Sequence, residues 1–350
     1  MEKKYKLTEE TINVNGRTLH RIEALKDFND VKKGDKGGFI ENEENLSQYN
    51  NCWVFGNAEV YNDAKVFEDA RIYWNAKVYD NATISGNAKV YDYAMVCGKA
   101  MVYGNAKVFD NAEVYDDAKV FEDARIYGNA RVLDNAVVRD NAKVYGNAAI
   151  YGNAMVYCDA KVFGNAQVRG NAKVYDNVKV CGNVEVYGNA KVYDDALVCD
   201  DAQVYGYAWV RGDARVYGNA RVYDNATISS NANVCDNAMV RGKANVYSHA
   251  DIRGDAEITA DTDYIVFKNW WSSGRFFTWT RSNNMWSVGC FYGTSNELIE
   301  KAYKDSKLSG NEYKRVVDYV NSILNVNEYD NIRKNIKERL LSKMRKLFGK

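Results

Sequence analysis

The side chains that could do acid–base or covalent chemistry are few in this sequence, and their placement is as informative as their number. There are two histidines, His20 and His249. Histidine is the commonest general base, so these are the first candidates. His249 occupies a position that elsewhere carries Asn or Asp, where it reads as a solvated substitute. No GxSxG nucleophile turn, P-loop or strand-borne GxGxxG is present. The seven cysteines are odd in number and lack CxxC spacing, so neither a disulfide framework nor structural zinc is expected. Paired acids such as Asp116-Asp117 and Asp194-Asp195 alternate with Gly-Asn at equivalent positions. They do not assemble the roughly six to eight oxygens that calcium takes. The sequence predicts no catalytic residue, no metal and no cofactor.

Two groups of residues are better suited to binding. The first is periodic. Arg71, Lys89, Lys107, Arg125, Lys143, Lys161 and Lys179 follow one another at intervals of 18 residues. Two places after each of the first six stands an aromatic ring: Tyr73, Tyr91, Phe109, Tyr127, Tyr145 and Phe163. Basic residues interleaved with aromatics suit phosphates and stacked bases. Lys107, Arg125, Tyr127, Lys143, Tyr145, Lys161 and Lys179 are therefore candidates for holding a nucleotide or another anionic ligand. A competing reading is charge compensation by Glu122, Asp123, Asp140, Asp159 and Asp176, which lie just before these positions. Lys is also a solubilising residue, and Tyr a good strand former. Cys181 and Cys199 continue the aromatic series at the same interval; they are expected to be stacked neighbours with free thiols.

The second group is not periodic. Trp270, Trp271, Trp279 and Trp286 crowd into 17 residues, with Arg275, Arg281 and Tyr292 beside them. Large aromatics and Arg dominate interface hot spots, so these residues are candidates for binding a protein partner. The alternative is that they form the core of a small cap.

The elements that would position these residues follow from an internal repeat. The unit is [G/D]-[N/D]-A-x-[V/I]-[Y/F], as in Gly104-Asn105-Ala106-Lys107-Val108-Phe109. Its aliphatic position is Val or Ile from Val54 to Ile258 in steps of six, 35 hexads without an insertion. From Ala58 to Ala256 the small position is Ala except at Val178 and Val184. In a strand, alternate residues share a face, so Ala and Val point inward while x and Tyr point outward. A corner of Gly, Asn and Asp follows, the types that tolerate positive φ. A helix does not keep a six-residue period on one face.

This pattern resembles the hexapeptide repeat of left-handed parallel β-helices over about 205 residues. It departs from that family in placing Tyr or Phe after the aliphatic residue. The NA-x-VYGNA style is also similar to the bacterial and phage YdcK-like or "polymer-forming" group. The resemblance implies triangular coils of three hexads and a left-handed winding, against the usual right-handed rule. It also implies a phage-associated, host-interacting setting. Many hexapeptide helices are acyltransferases that use a catalytic His and a loop extruded from the coils. The unbroken period here has no place for such a loop. At about 4.8 Å per coil, nearly twelve coils make a rod roughly 55 Å long.

The expected fold is an all-β solenoid of about 12 coils with an N-terminal β-hairpin cap and a C-terminal α+β domain. Its boundaries are 1–51, 52–260 and 261–350. Thr11 to Val14 and Arg17 to His20 read as a hairpin around Asn15-Gly16, and residues 33–38 as a loop. Tyr264 to Phe267 reads as a strand, and Phe276 to Thr280 with Met285 to Val288 as a hairpin. Helices are predicted over 297–304, 312–324 and 328–347, the last with one strongly basic face. Lys+Arg and Asp+Glu are equal at 47 each, which argues against a general nucleic-acid coat. No apolar leader and no stretch of roughly 18 apolar residues is visible, so no membrane span is expected and a cytoplasmic setting is. Proline is absent, in keeping with ladders that use most backbone N–H groups. The expected function is a non-enzymatic scaffold that binds a protein partner through its C-terminal domain, with self-association left open. The alternatives are an acyltransferase-like enzyme and a binder of polyanions along the basic face.

Overall fold

The computed structural model describes residues 2–324. The helix expected over 328–347 lies outside the described residues. The chain divides into two compact units, residues 1–263 and 264–350.

The first unit is a parallel β-solenoid. Thirty-five two-residue strands, β4 (Trp53–Val54) to β38 (Glu257–Ile258), follow the hexads one by one. Each strand pairs in parallel with the strand three places on, so Lys89 stands beside Lys107 and Val90 beside Val108. Three hexads, or 18 residues, therefore make one coil, and there are about twelve. The strands fall into three sheets, of which the 12-stranded one holds β4, β7 and every third strand to β37. Val and Ile at the aliphatic position and Ala at the small one are buried throughout. Each fully buried Val or Ile contributes about 1.5–3 kcal/mol before ordering entropy is subtracted.

The corners explain why Asp alternates with Gly. The first corner residue lies at positive φ, as in Asp110 (58°) and Gly128 (72°). Gly adopts this region freely, and Asp better than most residues. Asp adds something Gly lacks. Its carboxylate accepts the backbone N–H of the corner one coil on: Gly128 N–H to Asp110 at 2.9 Å, Gly152 to Asp134 at 2.8 Å, Cys158 to Asp140 at 2.9 Å. The second corner residue builds a ladder of its own. The Asn111, Asn129, Asn147 and Asn165 amides each donate to the next coil's Asn, at 2.8–3.3 Å.

An open strand edge needs a cover. At the start of the rod this comes from β1 (Tyr5–Val14), β2 (Arg17–Ala24) and β3 (Lys36–Ile40), which extend the 15-stranded sheet as β1-β2-β3-β5. β1 and β2 form the expected hairpin, with Asn15 and Gly16 both at positive φ. Gly37 and Gly38, read from sequence as loop, belong to β3. A Cβ at Gly38 would come within 2.5 Å of the Ala58 carbonyl oxygen, so glycine permits the close approach to the first coils. Lys4 closes the coil end. It is 1% exposed, and its Nζ lies 2.9 Å from the Cys52 carbonyl, 3.2 Å from that of Tyr49 and 3.2 Å from the Cys52 Sγ. Burial holds this ammonium below the usual lysine range.

The second unit is a four-stranded antiparallel sheet with helices. β39 (Tyr264–Lys268), β40 (Phe276–Thr280), β41 (Met285–Val288) and β42 (Phe291–Gly293) pair in chain order. Helix α1 (Ser295–Asp305) starts from a capping box in which Thr294 and Glu297 satisfy each other's backbone N–H. A second helix, α2, occupies 307–324 of the described residues and so begins earlier than the sequence predicts. Phe277, Trp279, Trp286, Val288, Leu298, Val317 and Val320 form one buried core.

Candidate ligand-binding surfaces

The 12-stranded sheet carries the basic column on its outer face. In-register pairing sets Lys89, Lys107, Arg125, Lys143, Lys161 and Lys179 on consecutive strands. Arg71 leaves the open column. It is 6% exposed, and its Nη1 lies 2.5 Å from Asp30 in the N-terminal segment. Among the described residues, none of the other six makes an ion pair within 4 Å.

Beside this column runs a groove of about 720 Å3. Arg125, Lys143, Lys161, Lys179 and Arg215 line it. Asp123, Asn141, Asp159, Asn177, Asp195 and Asp213, each two residues before one of the strand positions, line it as well. The groove is therefore nearly neutral, with two columns of opposite sign. Of the acids expected to compensate the bases, Glu122 and Asp140 are engaged by backbone N–H groups of the next coil. Asp123 and Asp159 line the same groove as the basic column. Glu122 and Asp140 also meet each other. That contact raises Glu122 above the usual carboxylate range, while hydrogen bonds outweigh burial and lower Asp140.

The aromatic column is a closed stack. Tyr91, Phe109, Tyr127, Tyr145 and Phe163 lie 4.8–4.9 Å apart, their planes within 2–4° of parallel. Each interior ring has both faces covered by its neighbours. Tyr127 and Tyr145 offer ring edges, so the stacked-base arrangement expected from the sequence has no free platform here. What remains available to an anion is the basic column alone.

In the C-terminal unit the sequence candidates separate by depth. Trp279 and Trp286 are 1% and 0% exposed. Their indole N–H groups are spent on Asn284 Oδ1 at 2.9 Å and Ser295 Oγ at 3.0 Å. They are core residues and offer no surface. Trp271 is half-buried against Phe277 and Tyr313, and Tyr292 is half-buried with its hydroxyl accepting from Asn283. Arg275 and Arg281 are exposed. Trp270 is 79% exposed. Its loop is built by the fully buried Asn269, whose amide donates to Ser272 Oγ at 2.7 Å and accepts the Ser272 N–H at 2.9 Å.

His20 Nδ1 lies 3.1 Å from the Thr8 carbonyl oxygen, to which its N–H donates in the Nδ1-protonated tautomer, between β1 and β2. His249 is an exposed corner residue after Ser248. The two histidines belong to different elements and do not share a site. The sequence missed the capture of Arg71 by Asp30 and the burial of Lys4; no periodic signal points to either.

No curated protein matches the chain. Among solved structures, an Arabidopsis UDP-N-acetylglucosamine acyltransferase is similar at 15% identity, over 55% of this chain and 69% of that one, with a TM-score of 0.28. A likeness that loose transfers no residue roles. No helix among the described residues is long and apolar enough to cross a membrane. Two segments, residues 124–140 and 214–230, match the family described as YdcK beta solenoid repeat. Residues 54–258 thus form a parallel β-solenoid of 18-residue coils, two segments of which are similar to the YdcK-type repeat.

Proposed function

We propose that this protein is a non-enzymatic binding scaffold, acting in the cytoplasm, whose partner recognition resides in the C-terminal unit on the loop that presents Trp270. The observation that supports this is an indole left 79% exposed on a loop held by a buried asparagine. A large aromatic has few rotatable bonds to immobilise when a partner buries it. Arg275 and Arg281 are exposed in the same unit and supply charge-assisted hydrogen bonds. The resemblance to phage-associated chains supports a host protein as the partner. The test pairs affinity capture from lysate with thermal melts. Trp270→Ala should lose the captured partner with an unchanged melting temperature. Capture that survives Trp270→Ala and Arg275→Ala but is lost in Lys143→Glu/Lys161→Glu would move recognition onto the rod.

That second reading has its own support in six basic side chains standing unpaired on consecutive coils. In it the rod takes an anionic ligand by charge, without base stacking, and binding weakens steeply with salt. An acyltransferase-like activity is a third reading. Turnover of acyl-CoA that disappears in His249→Ala would favour it over both.

A further inference from the structure

The aromatic column of the 12-stranded sheet stops at Phe163 and resumes at Tyr217, and the two places between are Cys181 and Cys199. They follow β25 (Lys179–Val180) and β28 (Leu197–Val198), which pair in register. The Cys181 N–H donates to the Val198 carbonyl at 3.0 Å, which fixes the coils at strand spacing. Neighbouring strands lie about 4.8 Å apart, inside the roughly 4.4–6.8 Å window of Cα separations that a disulfide spans. Both thiols are free and half-buried, and each side chain lies close enough to the other to influence its titration. Two other solenoid cysteines have partners of different chemistry: Lys4 Nζ for Cys52 and the Ile252 carbonyl for Cys235.

We propose that Cys181 and Cys199 form a redox-active dithiol, at which a small disulfide such as oxidised glutathione closes a cross-link between two adjacent coils. One thiolate attacks a sulfur of the oxidant, forming a mixed disulfide and releasing one glutathione thiolate. The second protein thiolate then attacks the protein sulfur of that mixed disulfide. The Cys181–Cys199 bond forms and the second glutathione leaves. Two electrons pass from the protein to the oxidant, and the two thiol protons end on the two glutathiones.

The surroundings set the rate. Burial, then the Asp200 carboxylate, pushes the Cys199 thiol up to about 11, and burial raises Cys181 as well. Little thiolate is present at neutral pH. Closure should quicken by about tenfold per pH unit below that value.

The experiment uses the full chain in a Cys290→Ser background, so that the exposed Cys290 thiol does not compete for glutathione. The protein is treated with oxidised glutathione at pH 7 and pH 9, quenched with acid, and measured by intact mass and peptide mapping. The expected product has lost two hydrogens, carries no glutathione, joins the Cys181 and Cys199 peptides, and forms faster at pH 9. Cys181→Ser and Cys199→Ser should each abolish that product and retain one glutathione adduct, while Cys158→Ser should leave it intact. The cross-linked form should melt higher, and dithiothreitol should reverse the shift. Separate glutathione adducts on both cysteines, disulfide-linked dimers, or an unchanged mass at pH 9 would each overturn the proposal.

Discussion

The two units solve the problem of a stable core in opposite ways. The rod buries small residues many times over: a small residue and a Val or Ile recur in hexad after hexad, and large buried rings such as Trp53 are confined to its first coils. The C-terminal unit buries Phe277, Trp279 and Trp286 once each in one cluster. In the rod, stability is a sum of nearest-neighbour terms, and losing one methyl affects one coil. In the C-terminal unit a single indole holds a large share of the whole. Repetition gives the rod long uniform faces, whereas the C-terminal unit has a surface that occurs once, such as the Trp270 loop.

The contrast is most severely tested by Val144→Asp. A carboxylate in that dry core should cost several kcal/mol. The damage should stay near the affected coils, read as lost hydrogen-exchange protection at Ile126, Val144 and Val162 with the C-terminal unit unchanged. Uniform loss of protection along the rod would show that the coils do not act locally. Next in size is Trp286→Ala, expected to cost about 3–5 kcal/mol and to unfold the C-terminal unit as a whole. Retained dispersion of the Trp279 and Phe277 signals would contradict that.

Smaller effects probe the ends and corners. Lys4 is charged in the unfolded chain below about 10.4, while burial lowers its pKa in the fold. Its desolvation penalty is therefore present at neutral pH and is relieved as pH rises from the folded value toward the unfolded one. Lys4→Met should remove this upward trend in the melting temperature of the N-terminal segment. Smallest is Asp134→Gly, which keeps the positive φ of the corner and deprives the Gly152 N–H of its acceptor. It should cost about 0.5–1.5 kcal/mol, against no measurable loss for Asp159→Asn, whose carboxylate accepts no such bond among the described residues. Equal losses in the two variants would show that corner charge, and not the N–H acceptor, sets the effect.

The period made the rod legible, because a six-residue repeat with buried Val admits one arrangement of faces and corners. Asn15-Gly16 likewise announced its hairpin through the φ values that the turn requires. Legibility ended where partners come from outside the repeat. Arg71 has the same sequence signature as Lys89, yet Asp30 of the N-terminal segment buries it. Gly37-Gly38 looks like a loop in composition, and only the nearby carbonyls of the first coils reveal why a strand needs it. The tryptophans could be read as core or as surface. Burial separated Trp279 and Trp286 from Trp270, and burial depends on α1 and α2, whose packing no local pattern specifies.

The unbroken count of hexads has a consequence for how such a chain can change length. Every corner and every inward residue would tolerate the insertion of one hexad, since each hexad resembles the next. The faces would not. Six extra residues after Asn141 would advance all later hexads by one side of the coil. Lys143, Lys161 and Lys179 would then continue a different sheet from Lys107 and Arg125. Eighteen extra residues would instead lengthen the rod by one coil, about 4.8 Å, and leave every column aligned. Surface identity along this molecule is thus a matter of counting modulo three, and whole coils are the unit in which it can grow or shrink without rewriting its faces.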